Sequence, residues 1–218
     1  MSLVERYGLA PEEIERRSFA IIRDLLPDLP GTPAEQQIRI RMIHACGDPG
    51  IAPDVHIHPR AVEAGVEALR RGATIFTDVR MISVGVSPGH CERLGVRVEC
   101  MLDHPGVAER ARADGTTRSV AAVRLWASQL DGAVVAVGNA PTALLALLDL
   151  VDAGVCRPAL VVGTPVGFVN AAEAKEELRR RDALPSVTVA GWRGGSTLAV
   201  AVLNALLRLA TGVDTYIW

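Results

Sequence analysis

The sequence predicts an α/β fold, a single domain built on a doubly wound, mostly parallel sheet flanked by helices. In the second half of the chain, short apolar segments typical of buried strands alternate with longer segments typical of helices. Hydrophobic residues make up 49% of the chain and aromatic residues only 4%, so the core must consist mainly of Val, Leu, Ile and Ala. A length of 218 residues is common for one α/β domain.

Residues 1–60 are expected to form an N-terminal helical part. Its first helix is predicted over residues 11–26, where apolar residues recur with the helical period. The predicted inward stripe consists of Ile14, Ser18, Ile21, Ile22 and Leu25. Ser18 is the polar member of this stripe, and its hydroxyl either bonds to the helix backbone or reaches a ligand.

A second helix is predicted to begin at Thr32 and to end at Gly47. Thr32 and Glu35 have the spacing of a capping box, and Pro33 lies between them at the first helical position. This helix carries His44, the best candidate in the chain for a catalytic group. The alternative is a structural histidine that is hydrogen-bonded under a loop.

Arg41 precedes His44 by three residues and is therefore its neighbour on the helix surface. Two effects of Arg41 stay open. It either disfavours the imidazolium form of His44 directly, or holds a carboxylate that favours that form.

Residues 61–210 are expected to form the α/β core. A helix over residues 59–71 is followed by a buried strand over 73–79 and an apolar segment over 81–87 that ends in a Pro88-Gly89 turn. Residues 96–102 alternate apolar and charged side chains, which is typical of a half-exposed edge strand.

A further helix is expected to open at residues 115–119, with Val123, Trp126 and Leu130 inward. Arg118 lies in its first turn. The helix dipole disfavours a cation there, so we expect an anionic partner for Arg118.

The last third of the chain gives the clearest pattern. Strands are predicted over 133–137, 159–162 and 186–190, and helices over 142–153, 171–181 and 196–209. Asn170 and Glu173 have the spacing of a capping box for the second of these helices.

Each of the three strands is followed by a turn rich in glycine or proline, over residues 138–142, 163–167 and 191–196. In a doubly wound sheet, ligands bind outside the carboxyl ends of the strands. The alternative is ordinary turn chemistry. None of the three turns has the glycine spacing of a dinucleotide site or a P-loop.

Composition narrows the possible partners. A formal net charge of −2, from 23 basic and 25 acidic residues, argues against nucleic acid as a main partner.

Four widely spaced cysteines without a C-x-x-C pair predict neither a zinc site nor a disulfide scaffold. His56 and His58 are interpreted as loop surface rather than metal ligands. The sequence has no signal-peptide pattern and no membrane-length apolar run, so we expect a cytoplasmic protein without a membrane partner.

Seven segments, taken in order, resemble the precorrin-8X methylmutase family of cobalamin biosynthesis. They are RSFAIIR (17–23), RMIHACG (41–47), TRS (117–119), GNAPTAL (138–144), PVGFV (165–169), AEAK (172–175) and GGS (194–196). GNAPTAL and the segment around His44 are specific, whereas GGS alone is not. The resemblance covers nearly the whole chain.

The resemblance implies an isomerase that moves a methyl group between neighbouring carbons of one ring of a tetrapyrrole, without cofactor or metal ion. The product would be hydrogenobyrinate, or cobyrinate from the cobalt-bearing substrate. The family's catalytic histidine corresponds to His44, which would act as general acid toward a ring nitrogen. Imidazole has a reference pKa of about 6.5 and can supply a proton at neutral pH. The family also implies a homodimer with active sites near the subunit interface.

The implied substrate carries many carboxylates, which arginines and helix N-termini would suit. By motif position we expect Ser18, Arg118, Asn139 and Thr142 to bind it. By their loops we add Arg41, Ser87 and Ser196. Whether the substrate carries cobalt stays open. The alternative functions are a non-catalytic corrinoid carrier and, on architecture alone, a nucleotide-using enzyme.

Overall fold

The structure, a computed structural model, describes residues 2–8 and 10–212. The described part contains one six-stranded sheet with the order β1-β6-β5-β4-β2-β3. The strands are β1 (Val55–Ile57), β2 (Ile75–Thr77), β3 (Val98–Cys100), β4 (Val134–Val137), β5 (Leu160–Gly163) and β6 (Ser186–Val189). All neighbouring strands are parallel except β1, which runs antiparallel to β6. The predicted mostly parallel sheet is confirmed.

The helices lie before, between and after these strands. They are α1 (Leu3–Tyr7), α2 (Pro11–Leu25), α3 (Pro33–Cys46), α4 (Ala61–Arg70), α5 (Arg80–Gly85), α6 (Pro88–Leu94), α7 (Val107–Ala113), α8 (Arg118–Trp126), α9 (Pro141–Asp152), α10 (Ala171–Arg179) and α11 (Ser196–Thr211). Short 3₁₀ segments cover Pro49–Asp54, Met101–Asp103 and Ala127–Gln129.

The sheet separates two apolar cores. Along β4, Val134 and Ala136 pack into the core that includes α3, α4 and α11, whereas Val135 and Val137 pack into the core with α8, α9 and α10. All four residues are fully buried, as in a strand covered on both sides. This is why the strand is a continuous apolar run in the sequence.

The predicted strands and helices of the last third are confirmed within a few residues, and β3 is an edge strand as expected. The predicted turn at Pro88-Gly89 is wrong, since Pro88 opens α6 at a position where proline's fixed φ suits a helix. The interpretation of His56 as loop surface is also wrong, because His56 lies in β1. That strand has only three residues, too few for a periodic pattern.

The capping box predicted at Asn170 is not present. Asn170 has a left-handed backbone (φ 60°), and its side chain makes no cap hydrogen bond. An N-cap residue normally has an extended backbone, which lets its side chain reach the first turn of the helix.

The predicted inward stripe of α2 is largely wrong. Ile14, Ile21 and Leu25 are each more than half exposed, whereas Phe19 and Ile22 are buried. Because α2 lies on the outside of α3, only part of its apolar side is covered. The three exposed residues are called the α2 stripe below.

Candidate functional site

The position of His44 is fixed by the two ends of α3. The predicted capping box is present, because Thr32 Oγ1 accepts from the Glu35 amide at 3.3 Å and Glu35 Oε2 accepts from the Thr32 amide at 2.7 Å. At the other end Gly47 has a left-handed backbone (φ 65°) that stops the helix. His44 therefore lies in the last turn of α3.

His44 is exposed, and Ser18 of α2 is its hydrogen-bond partner. The distance between Ser18 Oγ and His44 Nδ1 is 2.8 Å. The Phe19 ring meets the imidazole edge to face, with centroids 5.4 Å apart. Within residues 2–8 and 10–212 no group bonds to Nε2, so this nitrogen is available to a ligand.

The imidazole opens onto a cavity of about 460 Å³ between α2 and the end of α3. The α2 stripe, Ile43 and Pro49 give it a largely apolar lining. Arg17 and Ser18 add one cation and one hydroxyl. Such a cavity suits a large apolar ligand that carries negative charge.

Arg41 is held by a carboxylate. Its Nη1 lies 2.7 Å from Glu15 Oε1, and its guanidinium lies 5.0 Å from the centre of the Phe19 ring. Glu15 is also within 3.8 Å of Arg208 on α11. Arg41 of α3 therefore contacts two residues of α2: it pairs with the Glu15 carboxylate, and it lies over the Phe19 ring, which also contacts His44.

Asp78 organises a second group of residues at the carboxyl edge of the sheet. Asp78 is 1% exposed, and its carboxylate accepts from three successive backbone amides, those of Gly138 (3.0 Å), Asn139 (2.9 Å) and Ala140 (2.8 Å). Burial raises the pKa of Asp78, and the backbone hydrogen bonds oppose that rise. Asp78 was not among the residues predicted from the sequence, although an Asp directly after a buried strand was a usable signal.

The loop that Asp78 holds brings three predicted residues together. Asn139 is exposed in it, and Thr142 lies in the first turn of α9. Thr142 Oγ1 is 3.4 Å from Thr117 Oγ1, the N-cap of α8, and Arg118 follows directly. Arg118 is exposed and forms no ion pair with any described residue, so the expected anion is not supplied by that part of the chain.

The remaining two predicted residues lie in packing contacts. Ser196 is 7% exposed at the start of α11, so close to Gly138 that a Cβ there would lie 2.9 Å from the Ser196 Cα. The Ser87 amide donates to Asn204 Oδ1 at 2.8 Å, two turns further along α11. Ser196 thus supports the Asp78 loop, and Ser87 lies beside the middle of α11.

The described part of the chain contains neither a candidate metal site nor a helix that could span a membrane. No three His, Cys, Asp or Glu side chains there come close enough together to hold a metal ion. His58 instead contacts the Asp182 carbonyl, with Nε2 at 3.0 Å from the oxygen. None of the helices in residues 2–8 and 10–212 has the length and apolar character needed to cross a membrane.

Comparison with known proteins gives a consistent family. The family model described as precorrin-8X methylmutase matches residues 13–209. The precorrin-8X methylmutase of Pseudomonas aeruginosa is 45% identical over 89% of this chain and 94% of its own length. The cobalt-precorrin-8 methylmutase of Priestia megaterium is 40% identical over 94% of this chain and 91% of its own.

Two solved structures similar to this chain point to the same family. The precorrin-8X methyl mutase of Thermus thermophilus superposes with a TM-score of 0.84 at 43% identity, covering 91% of this chain and 98% of that one. A second structure, described as a precorrin-8X methylmutase related protein, gives a TM-score of 0.79 at 33% identity.

Proposed function

The chain belongs to the precorrin-8X methylmutase family, and from this we propose that His44 is the general acid of its reaction. The family makes the chain an isomerase of cobalamin biosynthesis that shifts a methyl group on a tetrapyrrole. The observation that carries the proposal is the exposed imidazole of His44, which is hydrogen-bonded to Ser18 and lines a largely apolar cavity.

Ser18 orients this acid. The imidazolium form of His44 donates Nδ1–H to Ser18 Oγ and presents Nε2–H to the cavity. When Nε2 gives its proton to a ring nitrogen of the substrate, the neutral ring keeps Nδ1–H and the same bond to Ser18. Proton transfer therefore needs no rotation of the imidazole, which favours a fixed geometry.

Protonation promotes the methyl shift by making the conjugated ring system electron-poor. The methyl group breaks its bond to one ring carbon and forms a bond to the neighbouring carbon within the same molecule. The substrate nitrogen then returns its proton to Nε2. Atoms and electrons balance without an external oxidant, reductant or group donor.

Polar groups that could bind the substrate's carboxylates lie both beside His44 and beside the loop that Asp78 holds. Arg17 is exposed beside His44, and Arg118 is exposed beside Asn139 and Thr142. Guanidinium groups bind carboxylates through paired hydrogen bonds. The α2 stripe would contact the apolar macrocycle or a second subunit.

We also propose a homodimer in the cytoplasm, as the family resemblance implies. The exposed α2 stripe supports an interface near the site, because monomers rarely expose large contiguous apolar patches. Light scattering on the purified chain measures the assembly directly, and a monomer at micromolar concentration would contradict this part of the proposal.

The activity test is incubation with precorrin-8X, followed by visible absorbance, because the shift changes conjugation in the macrocycle. We expect conversion by the wild type, none by His44→Ala, and unchanged conversion by the control His58→Gln, whose side chain contacts the Asp182 carbonyl instead. A parallel incubation with the cobalt-bearing substrate identifies the natural form. Pigment binding without conversion of either substrate would indicate a carrier instead.

A further inference from the structure

Lys175 on α10 is an unusual residue in this chain. It is the only lysine among 23 basic residues, and its side chain is fully buried. Burial lowers its pKa to about 8. A buried ammonium carries a large desolvation penalty, so its site must compensate. Its Nζ lies 2.5 Å from the backbone carbonyl oxygen of Arg193, to which it donates.

That hydrogen bond acts on the loop between β6 and α11. On the other side of the loop, Gly194 lies against the carbonyls of Thr164 and Pro165, where a Cβ would overlap both. The Gly195 amide donates to the Thr164 carbonyl at 2.7 Å. The backbone around Arg193 is therefore held from both sides and has little freedom to shift.

The Arg193 side chain links this loop to the segment that follows His44. Its Nη1 donates to the Gly50 carbonyl at 2.8 Å and lies 3.4 Å from Asp54 Oδ2 and 3.5 Å from Asp48 Oδ2. These partners lie in the 3₁₀ segment Pro49–Asp54 and at its N-cap. Pro49, the first residue of that segment, lines the same cavity as His44.

We propose that Lys175 and Arg193 are positioning residues, which fix the segment Pro49–Asp54 and thereby the wall of the cavity beside His44. The inference rests on the proposed function. Neither side chain touches the reacting atoms. Lys175 acts through the backbone of Arg193, and Arg193 acts through Asp48, Gly50 and Asp54.

The substitution Lys175→Met separates positioning from stability. Methionine has a similar length and removes the buried charge, so the melting temperature should stay the same or rise. The Arg193 carbonyl loses its donor, and the loop is then held from one side only, through Gly194 and Gly195. A lysine with a merely structural role would give the opposite pattern, a lower melting temperature with unchanged turnover.

The experiment compares full-length wild type with Lys175→Met, Arg193→Ala and Arg193→Lys in steady-state conversion of precorrin-8X. We expect kcat to fall roughly tenfold to hundredfold for Lys175→Met and Arg193→Ala, because small displacements near the reacting atoms have effects of that size. KM should change by less than about threefold. Arg193→Lys should recover part of kcat, since it keeps a cation beside Asp48 and Asp54.

The matched control is Arg180→Met, which removes an exposed cation near Lys175 in sequence. It should leave kcat, KM and the melting temperature unchanged. Hydrogen exchange provides a readout that does not depend on activity. In Lys175→Met and Arg193→Ala, the amides of Gly50 and Ile51, which bond to Asp48, should exchange faster than in wild type.

The outcomes distinguish the two proposals. A wild type that converts neither substrate form overturns the proposed function, while hydrogen exchange still decides the positioning role. Normal kcat in folded Lys175→Met and Arg193→Ala, with unchanged exchange at Gly50 and Ile51, overturns the positioning role alone. If Lys175→Met does not fold, the pair Arg193→Ala and Arg193→Lys decides.

Discussion

The helices α2 and α11 have similar lengths, 15 and 16 residues, and both carry repeated apolar side chains. The apolar side chains of one helix are buried and those of the other are largely exposed. In α11 ten residues are buried, because this helix packs against α3, α4 and the sheet. In α2 the stripe residues Ile14, Ile21 and Leu25 remain exposed beside His44. An apolar repeat thus marks a surface that requires a partner, and that partner is the core for α11 and, as we propose, a ligand or subunit for α2.

The sharpest test of this contrast pairs Leu203→Ala in α11 with Ile21→Ala in α2. Leu203 is fully buried, so its truncation should lower the free energy of unfolding by about 2–5 kcal/mol. Ile21 is 51% exposed, and its truncation should lower that free energy by less than about 1 kcal/mol while raising KM for the tetrapyrrole. Urea denaturation measures the first quantity and steady-state kinetics the second. Equal losses of stability would contradict the contrast.

Asp78→Asn tests whether the second part of the site depends on a buried carboxylate. The amide keeps one oxygen but turns an NH₂ group toward backbone donors, so the free energy of unfolding should fall by about 1–3 kcal/mol. The control is Asp131→Asn, an exposed residue whose carboxylate accepts from the Arg157 amide at 2.9 Å. Thermal denaturation compares the two, and a loss no larger than the control's would rule out this role for Asp78.

Ser18→Ala tests the hydrogen bond between α2 and His44. Removal of the hydroxyl leaves His44 Nδ1 without its partner, and kcat should fall about fivefold to tenfold, which corresponds to roughly 1–1.4 kcal/mol. Stability should hardly change, because the bond lies at the surface. Ser18→Thr restores a hydroxyl and should recover most of the activity. Full activity in Ser18→Ala would show that His44 is oriented by other contacts.

The smallest expected effect is a pH dependence of stability that comes from Lys175. Its pKa is about 8 in the fold and about 10.4 in an unfolded chain. The unfolded state therefore binds more protons between these values, and the free energy of unfolding rises with pH. From pH 7.5 to 8.5 the rise should be about 0.7 kcal/mol. Urea denaturation across this range should show that rise in wild type but not in Lys175→Met.

Most of the elements could be predicted from the sequence because their signals are local. The cap of α3 needs only Thr32, Pro33 and Glu35, and the structure shows both of its hydrogen bonds. The run over β4 is apolar because both of its sides are covered. The turn expected at Pro88-Gly89 was wrong because proline is equally suited to a turn and to the first position of a helix.

The site was harder to predict, because its members come from distant parts of the chain. Ser18 and His44 were both singled out, but their 2.8 Å contact depends on how α2 lies against α3. Asp78 and the amides it accepts from are about sixty residues apart. The substrate-binding roles of Arg118, Asn139, Thr142 and the other predicted residues stay predictions.

The sequence by itself determined the α/β class, most of the elements, the family and the position of His44 in the last turn of a capped helix. These follow from periodicity, caps and short motifs, whose interactions span only a few residues. Only the tertiary structure decided which apolar stripe is buried, which group bonds to His44 and why the single lysine is enclosed. Those outcomes depend on how helices pack on one another and on the sheet, and packing is set by contacts between residues far apart in the chain.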